Sequence, residues 1–133
     1  PGTDFTRELA TTADLRIGDT LLLREVAGQV SGFALYHTAP LAAGRPQDEL
    51  RVLKLVAADG EAFERLIAAT EAAALAADIR RVSLRCQTAF GGAYLRLIHL
   101  GYRTHWTDLR MTLEGHPEAS VTAGAVVWSN WEI

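Results

Sequence analysis

The stretch that decides the fold is LRVLKLVAADGEAFERLIAATEAAALAA, Leu50 to Ala77. Its first part alternates, with Leu50, Val52, Lys54 and Val56 facing one way and Arg51, Leu53 and Leu55 the other. Both faces are largely apolar, as in a central strand covered on both sides. Glu61 to Ala77 then reads as a helix rich in Ala, Leu and Glu, with no internal Gly or Pro. Phe63, Leu66, Ile67, Thr70, Ala73, Ala74 and Ala77 form its inner stripe, and Glu61, Glu64, Arg65 and Glu71 point outward. Between strand and helix lies a short loop, a common place to hold a phosphate. Asp59 and Glu61 stand in that loop, where a phosphate wants neutral amides.

Working outward, DTLLLREVAGQVSGFALYHT gives two β-rich runs joined through Ala27, Gly28 and Gln29, a hairpin. Upstream, PGTDFTRELATTADLRIGD is mostly polar. Asp4 or Thr6 caps a short helix there, and Gly18 ends the segment. A loop punctuated by Pro40, Gly44 and Pro46 separates hairpin and central strand. Downstream, RRVSLRC is a strand with Val82, Leu84 and Cys86 on one face. A second helix runs from Gly92 to Leu100 and stops at Gly101, a C′ residue. YRTHWTDLRMTL reads as a strand, and GAVVWSNWEI as a last one after the loop around Gly115 and Pro117. The order strand, helix, strand implies a parallel crossover inside an otherwise antiparallel sheet. The expected class is therefore α/β (α+β), a mixed, mostly antiparallel sheet flanked by helices.

The 133 residues fit one domain, residues 1–133, of which 49% are hydrophobic and 22% charged. A chain of this size buries roughly two thirds of its unfolded surface. The net charge of −3 leaves no basic face for nucleic acid. No apolar run reaches the ~20 residues that span a bilayer, so no membrane partner is expected. The lone Cys86 excludes an internal disulfide framework and fits a reducing, cytoplasmic compartment. The first residue is Pro1 rather than Met, as expected of a processed product or of the C-terminal part of a longer chain.

From about Asp19 to Leu113 the chain resembles the Gcn5-related N-acetyltransferase (GNAT) superfamily. The hairpin, the strand LRVLKLVA, the long helix, the strand RRVSLRC and the run AYLRLIHLGYRTHWTDLRMTL with its Gly-aromatic turn carry the resemblance. It covers about two thirds of a family domain; the first strand and first helices have no counterpart, unless PGTDFTREL is a remnant. The resemblance implies acetyl-CoA as co-substrate, its pantetheine arm gripped by the backbone of Leu53, Lys54, Leu55 and Val56. Its pyrophosphate would sit on Ala58, Asp59, Gly60, Glu61 and Ala62. The family's loop reads Gln/Arg-x-x-Gly-x-Gly/Ala; here Gly60 and Ala62 keep the spacing and Ala57 replaces the first residue. Small residues let backbone approach phosphate, and the first amides of a helix are unpaired donors at its positive end. Asp59, as an N-cap, would instead satisfy those amides itself.

In the family a tyrosine four residues before the Gly-aromatic turn protonates the departing thiolate. That position here is Leu97. Tyr94, about 4.5 Å further along the axis, is either a displaced general acid or a core tyrosine with its hydroxyl at the edge. His37, Glu25, Asp19, Asp48 and Glu49 are candidates to deprotonate an amine, or are solvated strand ends. His99, His105 and His116 lack ligand neighbours for a metal. Cys86 reads as a small buried hydrophobe rather than a nucleophile. Trp106, Trp128 and Trp131 read as core, or, where exposed, as a homodimer surface or a contact with a missing N-terminal portion. Two functions follow: transfer of acetyl to a small-molecule or peptide amine entering over Thr38 to Gln47, or a non-catalytic domain of the same fold for dimerisation or ligand sensing. An open cleft between Leu50–Val56 and Arg81–Cys86, or a filled one, separates them.

Overall fold

In a computed structural model, residues 4–88, 91–109, 111, 113–116 and 123–129 are described. The elements follow as α1 (Thr6–Leu15), β1 (Gly18–Arg24), β2 (Val30–His37), β3 (Glu49–Ala57), α2 (Gly60–Ala76), β4 (Arg81–Leu84), α3 (Gly91–His99) and β5 (Val126–Ser129). The sheet runs β1-β2-β3-β4, with β5 also paired to β3. Every pairing is antiparallel except β3 with β4, so the mixed, mostly antiparallel α+β architecture holds. No helix among the described residues is long and apolar enough to cross a membrane.

The hairpin forms where Gly28 adopts φ +83°, a conformation cheap only without a Cβ. Its amide donates to the Glu25 carbonyl at 2.8 Å, and the Glu25 amide to the Gln29 carbonyl at 2.9 Å. The first helix ends differently from expectation. Arg16, not Gly18, takes the left-handed conformation, φ 52°, and Gly18 opens β1. At its start the N-cap is Phe5, with no side-chain cap bond, in place of the expected Asp4 or Thr6; Asp4 accepts instead from the Thr6 amide at 2.9 Å and its hydroxyl at 2.6 Å.

The strict alternation of β3 is corrected at Leu53. Leu35 pairs with Lys54 but Tyr36 with Val52, so Leu53 is the extra residue of a bulge, which reverses the faces of everything after it. Leu50, Val52, Leu55 and Ala57 consequently share the face that packs on Phe63, Leu66 and Ile67 of α2. Lys54 turns to the opposite side, beneath α1. There its ammonium, on a side chain only 5% exposed, lies 3.5 Å from the Glu8 carboxylate and 5.6 Å from the Phe5 ring centroid.

Over YRTHWTDLRMTL, where a strand is expected, the described residues form no ladder. Periodicity marks a segment as able to be a strand, but a strand needs a partner edge. Arg110 and Thr112 of that run, Pro117, and the final residues including Trp131 lie outside the described residues.

His37 is buried on β2 and shares a 2.8 Å hydrogen bond with the Thr12 hydroxyl of α1. Removal from water lowers its pKa from 6.5, and the Arg51 guanidinium lowers it further. The unfolded chain therefore takes up the proton first as pH falls. The stability contributed by neutral His37 is complete above about pH 6.5 and is lost progressively below it. Melts of wild type and His37→Gln across that window should show the wild type losing more midpoint on acidification, with the variant flatter. Parallel profiles would contradict this.

Candidate functional site

The parting of β3 from β4 builds the site. The two strands pair in parallel only from Glu49 with Arg81 to Val52 with Leu84. Beyond the Leu53 bulge, β3 runs on alone toward α2 while its other edge stays bonded to β2. The edge thus freed is taken by β5: Lys54 pairs with Ser129, Leu55 with Trp128, Val56 with Val127 and Ala57 with Val126. Trp128 closes the arrangement from below, its ring edge-on to Phe63 at 5.0 Å and 75°. Its indole Nε1 is buried without a partner among the described residues. The cleft between β3 and β4 is filled, and by the chain's own last described strand.

The loop between β3 and α2 is half satisfied from within. The Ala58 amide donates to the Ser31 carbonyl at 2.9 Å. The Asp59 carboxylate, as N-cap, accepts from the Ala62 amide at 2.8 Å, a bond whose loss costs a helix about 1 kcal/mol. Gly60 and Glu61 open the helix, where amides have no carbonyl a turn earlier to bond. Glu61 points to solvent and Ala62 is buried. A Cβ on Gly60 would come within 2.7 Å of the guanidinium of Arg96, which reaches across from α3 and also pairs with Glu64. Arg96 thereby places a cation over the helix terminus. No sequence pattern points to it, because it is brought there only by α3 crossing α2.

Beside the loop a pocket of about 180 Å³ is lined by Glu25, Ser31, Asp59, Glu61, Ala62 and Arg65. It is acidic. Glu25 accepts from the Ser31 hydroxyl at 2.5 Å and from Arg65 at 2.8 Å; these bonds, the serine's first, hold its pKa below the usual value. At the other end of β3, a groove of about 330 Å³ is lined by Thr38, Pro40, Leu41, Arg45, Arg51 and Arg81, among others. It coincides with the loop where the acceptor is expected. Asp48 there is engaged by Arg81 at 2.9 Å, and Arg51 donates to the Ala39 carbonyl at 2.7 Å.

The remaining candidates fall into place individually. The Tyr94 hydroxyl lies 3.3 Å from that of Thr104, and Leu97, one turn on, is core. Tyr102 of the Gly-aromatic turn donates to Glu71 at 2.8 Å, and burial, then that bond, pushes its pKa well up. Gly101 is at φ +93°, as its C′ role requires. Burial pushes the Cys86 thiol up to about 11, which keeps it protonated and unreactive. His37, a candidate base, is buried with its ring against the Thr12 hydroxyl. His99 and His105 join no group of three metal-ligating side chains among the described residues.

No family model and no curated protein matches the sequence. Among solved structures, a mutant of the BH1408 protein from Bacillus halodurans is similar, at TM-score 0.64 and 18% identity over 85% of this chain and 76% of its own. The TTHA1254 protein from Thermus thermophilus is similar at TM-score 0.58 and 21% identity, over 84% of this chain and 78% of its own. At these identities the likeness is one of fold.

Proposed function

We propose that the chain is an N-acetyltransferase of the GNAT type, moving acetyl from acetyl-CoA to a primary amine. The observation that supports it most is the separation of β3 and β4 at the Leu53 bulge, which aims a run of strand edge at the N-terminus of α2. In this reading the pantetheine arm bonds the backbone of Leu53 to Val56, and the pyrophosphate meets the amides of Gly60 and Glu61. Arg96 supplies the cation that the loop lacks at Ala57. β5 stands where the arm would lie, so binding exchanges its short ladder for the cofactor's amides.

The chemistry is then direct. The neutral amine attacks the thioester carbonyl, a C–N bond forms, the C–S bond breaks, and the amine's proton is lost as CoA leaves as the thiol. Positioning and amides directed at the developing oxyanion lower the barrier. Tyr94 is the phenol within a turn of the expected acid, and it acts only if its hydroxyl leaves Thr104 for the sulfur. The acceptor approaches over the Thr38–Pro46 groove.

A second reading, a non-catalytic domain of the same fold for dimerisation or ligand sensing, is favoured by the occupied edge. With β5 on Lys54–Ala57 and the Asp59 carboxylate on the Ala62 amide, the elements a cofactor needs are satisfied already. Thermal melts over an acetyl-CoA series separate the two. Ligand at about 100 times its dissociation constant adds about 2.7 kcal/mol to the folded state, a rise of several degrees. A saturable rise is the expected result; a flat midpoint at millimolar ligand favours the second reading.

A further inference from the structure

The groove at the N-terminal end of β3 holds charges of both signs and pairs off only some of them. Arg45, Arg51 and Arg81 line it together with Asp48 and Glu49, a local excess of positive charge in a chain of net charge −3. Arg81 and Asp48 engage each other at 2.9 Å. Arg45, Arg51 and Glu49 form no ion pair among the described residues. Arg51 is half-buried, and its guanidinium donates to the neutral Ala39 carbonyl at 2.7 Å. Burial, and then the Arg51 charge, lowers the His37 pKa, so that charge acts beyond its own site. Glu49, also half-buried, stands two residues before Arg51 and ahead of the Leu53 bulge. The two side chains therefore leave the strand on one side, with Cα atoms roughly 7 Å apart. Arg45 is presented by a closed turn: Gly44 takes φ +78°, and the Arg45 amide donates to the Ala42 carbonyl at 3.2 Å. Pro40, Leu41 and Pro46 add an apolar wall, with Leu41 78% exposed.

We propose that this groove binds a small amino carboxylate, an aliphatic α-amino acid in its zwitterionic form. The carboxylate takes the guanidinium forks of Arg45 and Arg51, whose planar geometry matches it in paired hydrogen bonds. The ammonium takes Glu49, and the aliphatic side chain lies against Pro40 and Leu41. One ligand thus supplies a counterion to a half-buried cation and to a half-buried anion, each of which is costly to hold unpaired. A simple anion would satisfy the arginines and be repelled by Glu49; a simple amine would meet the reverse. Size favours a small molecule too, since about 330 Å³ is near the lower end of the roughly 300–1,000 Å³ of small-molecule sites. The inference rests on the acyl-transfer reading only in making this amine the acceptor; binding itself requires no cofactor.

Calorimetric titration of the full chain with L-leucine, without acetyl-CoA, tests the proposal. L-leucinamide, which lacks the carboxylate, and isocaproate, which lacks the amine, are the matched probes. L-leucine is expected to bind, and each matched probe to bind roughly tenfold more weakly or worse, the loss of a charged hydrogen-bonded contact. Arg45→Gln and Glu49→Gln should each weaken L-leucine by a similar factor. Neither side chain is ion-paired within the chain, so both variants should melt with the wild type. Amide chemical shifts should move at residues 38–51. The absence of both heat and shifts at millimolar L-leucine would overturn the proposal. So would isocaproate or inorganic phosphate binding as tightly as L-leucine, which would make the groove a plain anion site, or binding that survives both substitutions. L-leucine binding beside flat acetyl-CoA melts would count against the transfer reading alone. The converse would count against the amino carboxylate alone.

Discussion

Phe63→Ala is expected to lower stability by about 3–5 kcal/mol, the cost of emptying a fully buried aromatic site, and the melting midpoint by roughly 10–20 °C. Phe63 has no exposed surface and lies in the first turns of α2, where the bulge in β3 has brought Leu55 and Ala57 onto the same face. Its ring also receives Trp128 edge-on, an aromatic contact worth about 0.5–1.5 kcal/mol beyond burial. The substitution thus removes the floor under β5 as well as a core side chain. Phe63→Leu keeps most of the volume and should cost well under half as much. Equal losses for the two variants would show that the site relaxes freely, and that β5 does not rest on Phe63.

Gly18→Ala should be the second most damaging change, at about 3 kcal/mol, near the top of the range for overpacking. A Cβ there would stand 1.9 Å from the Tyr36 carbonyl oxygen and 2.7 Å from the His37 Cα. Both are backbone, in the strand that Gly18 pairs with, so neither can rotate away. The β1–β2 ladder must open at this end, carrying His37 off Thr12. Gly32→Ala is the contrast. Its new methyl would meet Leu66 Cδ1 at 2.8 Å, the far end of a side chain that can turn. Denaturant midpoints for both alanine variants decide the matter; a Gly18 variant as stable as the Gly32 one would contradict it.

The features legible in the sequence are those that depend on near neighbours along the chain. The α2 stripe, the Gly28 hairpin, the Asp59 cap and the Gly101 terminus each follow from a few adjacent residues, and all are present. Ala77 alone departs from the stripe, because the helix ends at Ala76 and leaves it exposed. The features that escape depend on a partner far away. The bulge at Leu53 exists only in the pairing of β2 with β3, so the alternation Leu50–Val56 conceals the face change that hides Lys54 under α1. The run HWTDLRMTL has the period of a strand, yet its described residues form no ladder. β5 is expected from its β-rich run, but nothing in VVWS says that it lies along Lys54–Ala57. Arg96 is invisible for the same reason, as a helix-borne cation whose place over Gly60 is set by packing. The candidate site is thus legible as a loop and not as a cleft.

In the proposed function the β3 edge from Lys54 to Ala57, which β5 covers, would be given up to the cofactor. Amide hydrogen exchange, measured with and without saturating acetyl-CoA, tests it most directly. The account predicts faster exchange across Val126–Ser129 as β5 leaves the edge, together with slower exchange at Gly60 and Glu61 as the pyrophosphate takes their amides. Unchanged exchange at both segments would contradict it and leave β5 as a permanent strand of the sheet.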